Sequence, residues 1–80
     1  MTDTIIEVEV ENGVWLFKLG NVLEEKGISK NKIMRDTNTK HDTLQGYVNG
    51  TLKRIDLDVL DRFCKYLECE LIDIIEYIKK

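Results

Sequence analysis

Between Lys40 and Asn49 the chain reads KHDTLQGYVN, and its polar members are residue types that grip or read other molecules by hydrogen bonding. Gln45 carries a donor and an acceptor side by side, Thr43 a hydroxyl that serves as either, His41 an imidazole with one of each, and Lys40 only donors. The run lies in a basic stretch. From Lys26 to Arg54 seven bases (Lys26, Lys30, Lys32, Arg35, Lys40, Lys53, Arg54) stand against Asp36 and Asp42, a net charge of +5, whereas residues 1–25 carry −5 and residues 55–80 carry −3. A local surface of that sign attracts polyanions such as nucleic-acid phosphates, although the whole chain is at −3. Catalysis is a poor match. His41 is the only histidine and Ser29 the only serine, and neither a glycine-rich phosphate loop nor spaced metal ligands occur. No enzyme activity, metal or cofactor is expected, and no small-molecule substrate.

These residues need elements to hold them. Ser29 is placed to cap a helix, with Ile28 stapling onto Ile33. At Thr37-Asn38-Thr39 three poor helix formers meet, and asparagine tolerates the left-handed backbone that a sharp turn requires. Beyond the turn Leu44, Tyr47 and Val48 recur at helical spacing on one face, leaving His41, Gln45, Gly46 and Asn49 on the other. Asn49-Gly50 is a stop signal. Residues 29–50 therefore read as a helix, a tight turn and a second helix. Thr39-x-x-Asp42 fits a capping box, so Asp42 is read as structural rather than as a reader of cytosine. Gly46 has no side chain to read with; close approach to a partner and tight packing both explain it.

Around this unit, eighty residues suffice for one small domain. Residues 5–10, IIEVEV, alternate apolar and acidic, Asn12-Gly13 is the commonest two-residue hairpin turn, and VWLFK follows. The expectation is a β-hairpin of about residues 4–11 with 14–18, in preference to a helix that starts at Val14. Trp15 and Phe17 are read as core or dimer-face residues. Leu19 to Lys26 reads as a helix ended by Gly27. After the exposed basic loop TLKR, Asp56 caps a further helix, with Ile55 stapling onto Leu60 and an apolar stripe of Leu57, Leu60, Phe63, Cys64 and Leu67. Leu71, Ile72, Ile74, Ile75 and Ile78 mark a last helix, with more apolar surface than one small core uses, and Lys79-Lys80 complement its dipole. Cys64 and Cys69 are read as reduced thiols. No apolar run approaches the roughly eighteen residues of a membrane span, and the acidic N-terminus lacks a signal-peptide pattern, so a cytoplasmic protein is expected.

Laid out in this order, LEEKGIS (23–29), YVNG (47–50) and IDLDVLDRFCKYLECELIDIIEY (55–77) resemble the Cro/C1-type, lambda-repressor-like helix-turn-helix family over about residues 19–78. Met34 stands where that family usually has a small residue, and Thr37 and Thr39 flank Asn38 where apolar residues usually flank a glycine. The resemblance implies a mainly all-α, five-helix domain with the hairpin, residues 1–18, as an N-terminal extension. It implies a sequence-specific, DNA-binding transcriptional regulator, a repressor, binding double-stranded DNA as a homodimer with no membrane involvement. By position, Lys40, His41, Thr43, Gln45 and Gly46 would face the bases, and Lys30, Asn49, Lys53 and Arg54 the phosphates. The alternative is a protein-interaction module that uses the same fold to bind another regulator.

Overall fold

The computed structural model describes residues 5–80. Its elements run β1 (Ile6–Val10), β2 (Gly13–Phe17), α1 (Leu19–Lys26), α2 (Lys30–Thr37), α3 (His41–Asn49), α4 (Leu57–Leu67), α5 (Leu71–Ile74) and β3 (Ile75–Lys79). Five helices and an N-terminal hairpin follow the expected order. The sheet has a third strand. Its order is β1-β2-β3, antiparallel throughout, with Val8 opposite Trp15 and Trp15 opposite Tyr77.

The expected last helix over 71–78 is therefore corrected: it stops at Ile74, after four residues, and Ile75–Lys79 is a strand. IEYIK also alternates, with Ile75 and Tyr77 on one face and Glu76 and Ile78 on the other. Pairing with β2 satisfies a sheet edge that a helix would leave open. The junction is fastened by Lys18 N donating to Ile74 O at 2.7 Å and by a Lys18–Glu76 ion pair at 2.8 Å.

The hairpin turn is corrected too. Val10 pairs with Gly13, so the two-residue connection is Glu11-Asn12, and Gly13 is the first residue of β2. A Cβ at Gly13 would lie 2.5 Å from Ile78 O and 2.7 Å from the Tyr77 ring. Glycine is required there for the approach of β3, and Tyr77 Oη reaches past it to donate to Asn12 O at 3.0 Å. Trp15 and Tyr77 meet with ring centroids 4.8 Å apart.

Helix ends follow the sequence closely. Ser29 Oγ accepts from Lys32 N at 3.1 Å, and Asp56 Oδ1 accepts from Asp58 N at 2.9 Å. Gly27, Asn38 and Gly50 close α1, α2 and α3 in the left-handed conformation, with φ of 66°, 54° and 70°. Two caps differ. Lys40, not Thr39, is the N-cap of α3, and no side chain caps that helix. Thr39 is buried, its hydroxyl 2.7 Å from that of Thr37, which in turn donates to Ile33 O; the turn folds its hydroxyls inward, and Asp42 is left with a fully exposed side chain. In α4 the first residue, Leu57, is 76% exposed, and Val59 joins Leu60, Phe63 and Leu67 in the core instead. Ile55 remains 49% exposed rather than covered by Leu60.

The core gathers Leu19, Ile33, Leu44, Tyr47, Phe63, Leu67 and Ile74 from all five helices, each essentially out of water. Tyr47 and Phe63 meet edge to face at 5.6 Å, and Tyr47 Oη accepts from Asp56 N at 2.9 Å, tying the inner face of α3 to the start of α4. Met34 packs against this cluster and is partly buried. The sheet covers the far end of α3: a Cβ at Gly50 would meet Val8, Phe17 and Ile6 at 2.8–3.3 Å.

Candidate nucleic-acid interface

Because Leu44, Tyr47 and Val48 are buried, α3 presents the opposite side to solvent. Lys40 and His41 are exposed at its N-terminal end and Asn49 at its C-terminal end, with Thr43 and Gln45 half-buried between. His41, Gln45 and Asn49 are four residues apart, one above another on a helix. Their side chains are joined. Asn49 Nδ2 donates to Gln45 Oε1 at 3.2 Å, and Gln45 Nε2 lies 3.3 Å from His41 Nε2. The i, i+4, i+8 spacing was available in the sequence as a signal for this stripe; the pattern of bonds was not.

Gly46 does not belong to that surface. It is buried, and a Cβ there would come 2.4 Å from Leu52 Cδ2, so the glycine admits the Leu52 side chain from the loop after α3. Of the two explanations its type allowed, packing is the one realised.

Lys40 is the N-cap of α3, and further cations precede and follow that helix in the chain. Lys30 is exposed as the first residue of α2, where backbone N–H groups are free to assist an anion. Lys53 and Arg54 are exposed between Gly50 and α4, and Arg54 lines a shallow hollow together with Thr43. Among the described residues, neither these three nor Lys40 has an acidic partner within 4.0 Å.

Two other bases in the +5 stretch, Lys32 and Arg35, are paired at the surface with an acid. Asp36 receives Lys32 Nζ at 3.1 Å, Arg35 Nε at 3.4 Å and the Tyr66 hydroxyl. Tyr66, Lys32 and Arg35 hold the Asp36 carboxyl down at about 2, and the same cluster raises Lys32 and Tyr66 above their usual ranges. This group ties α2 to α4 through Asp36 and Tyr66, and it gives Lys32 and Arg35 an acidic partner while their side chains stay exposed.

Cys64 and Cys69 are half-buried beside the core, and burial pushes both thiols up, Cys69 to about 11. Among the described residues, no group of three histidine, cysteine or acidic side chains is placed to hold a metal ion, and no helix is long and apolar enough to cross a membrane.

The family description for Cro/C1-type HTH DNA-binding domains matches residues 18–80. The chain belongs to that family. Among solved structures it is similar to the transcriptional regulator VanUg in its crystal form II, with a TM-score of 0.69 and 23% identity over 91% of this chain and 96% of that one. At that identity the likeness establishes a shared fold. No curated protein matches the chain. Within a Cro/C1-type domain α2 and α3 are the helix-turn-helix, and the joined stripe of polar side chains lies on its second helix.

Proposed function

We propose that this Cro/C1-type domain is a sequence-specific transcriptional regulator that acts as a repressor in the cytoplasm by laying α3 in the major groove of duplex DNA. In this reading Lys40, His41, Thr43 and Gln45 address base edges, while Lys30, Lys53 and Arg54 fix the sugar-phosphate backbone. The observation that carries it is the exposed polar side of α3, preceded and followed in the chain by cations without acidic partners among the described residues. One copy touches few base pairs, so a homodimer on a two-fold site, with half-sites about 34 Å apart, supplies affinity and selectivity. The outer edges of the sheet and the exposed Leu71, Ile72 and Ile78 are available for pairing.

Selection of bound duplexes from random DNA tests this directly. The expected result is enrichment of two-fold related half-sites spaced by about one helical turn. A pool without enrichment after repeated rounds contradicts it.

A second reading is favoured by the apolar groove between the sheet and residues 50–55, lined by Val10, Trp15, Leu52, Ile55, Leu71 and Tyr77. There the domain would be a protein-interaction module that binds another regulator. It predicts that Tyr77→Ser and Leu71→Ser abolish partner binding and leave duplex binding at wild-type strength.

A further inference from the structure

We infer that His41 and Asn49 are positioning residues that lock the Gln45 amide in one orientation, making Gln45 a reader of adenine and of no other base. The inference rests on the DNA-binding reading above and deepens it.

An unconstrained glutamine amide turns freely about its last torsion and can offer oxygen or nitrogen to whatever base it meets. Gln45 is held on both sides. Asn49 Nδ2 donates to its Oε1, which places its Nε2 toward His41 Nε2. An amide nitrogen only donates, so His41 Nε2 is the acceptor and the ring proton sits on Nδ1. On that side the Asp42 carboxylate lies 3.7 Å from Nδ1, too far for a hydrogen bond, so only its charge favours a proton there. The exposed, uncapping Asp42 thereby acquires a role in setting the direction of the row.

The remaining capacity of Gln45 follows by counting. Of two N–H donors one goes to His41, and of two oxygen lone pairs one goes to Asn49, so the outer edge keeps one donor beside one acceptor. In the major groove only adenine presents the complement on a single base, an N6 donor next to an N7 acceptor; guanine presents two acceptors there, cytosine a donor and thymine an acceptor. Turning the Gln45 amide alone to suit another base breaks both internal bonds, and keeping them requires the Asn49 amide to turn and the His41 proton to change nitrogen as well. Asn49 thus belongs with the reading stripe rather than with the phosphate contacts.

The test uses the full chain and the site enriched from random duplexes, altered one base pair at a time. For the wild type, replacing the adenine read by Gln45 lowers affinity about tenfold or more, and 7-deazaadenine, which lacks the N7 acceptor, gives a comparable loss. Gln45→Ala identifies that pair by removing discrimination there. His41→Ala and Asn49→Ala, which keep Gln45, are expected to reduce discrimination at the same pair to within about threefold, with the salt slope retained. Wild-type discrimination in either variant overturns the inference. So does a loss spread evenly over all sequences with a shallower salt slope, which would make the residue a phosphate contact. Failure of the wild type to enrich any site would instead strike the DNA-binding reading itself.

Discussion

Asn38 and Glu68 hold left-handed backbone without being glycine, with φ of 54° and 51°. Asparagine is suited to the position, whereas a glutamate there carries a cost of about 1 kcal/mol from its Cβ and the following carbonyl. Glu68→Gly is accordingly expected to raise stability by about 0.5–1 kcal/mol, read as a higher urea midpoint at constant slope. Gly50 is the opposite case. Its φ of 70° and the nearness of Val8 and Phe17 leave no room for a methyl group, so Gly50→Ala should cost about 1–3 kcal/mol and loosen the sheet from α3. The left-handed turn at Asn38 was legible because Thr-Asn-Thr breaks helical propensity within three residues. Glu68 was not, since glutamate has no preference for that backbone and is placed there by the packing of Leu67 and Cys69. Gly46 was half legible: its type announces a close approach, but only the position of Leu52 tells which neighbour makes it.

At the scale of elements, what the sequence disclosed depended on the range of the contacts involved. The caps at Ser29 and Asp56, the stops at Gly27 and Gly50, and the apolar faces of α1 to α4 rest on neighbours within a turn or two, and they were readable. The strand at 75–79 rests on pairing with residues 13–17, some sixty positions away, and IEYIK fits both periods. The same distant partner explains the displaced turn, because the asparagine-glycine signal at 12–13 is overridden by the Tyr77 ring lying on Gly13. The α2–α4 clamp is another such pairing, and it yields a pH prediction. Asp36 has its folded carboxyl at about 2, against an ordinary 3.8, so its contribution is complete above the unfolded value and disappears as pH falls through the folded one. Between about pH 4 and pH 2 the wild type should therefore lose more stability than Asp36→Asn, as measured by urea midpoints at the two ends of that window. Equal losses would show the clamp to be inert.

For the whole molecule the unequal division of charge matters more than its total. Acidic segments at residues 1–25 and 55–80 flank a central unit at +5. The structure divides that +5 further, tying Lys32 and Arg35 to Asp36 and leaving Lys30, Lys40, Lys53 and Arg54 around α3. Charge counting located the basic stretch; only coordinates separated the bases paired with Asp36 from those without an acidic partner among the described residues. If the latter set meets phosphates, affinity must carry their signature in salt. The deciding experiment is fluorescence anisotropy of a labelled duplex titrated with the full chain over a series of salt concentrations. The logarithm of affinity should fall linearly with the logarithm of salt, and Lys30→Ala or Arg54→Ala should each make the slope shallower by about one. No binding at low salt, or binding with no slope, contradicts the account.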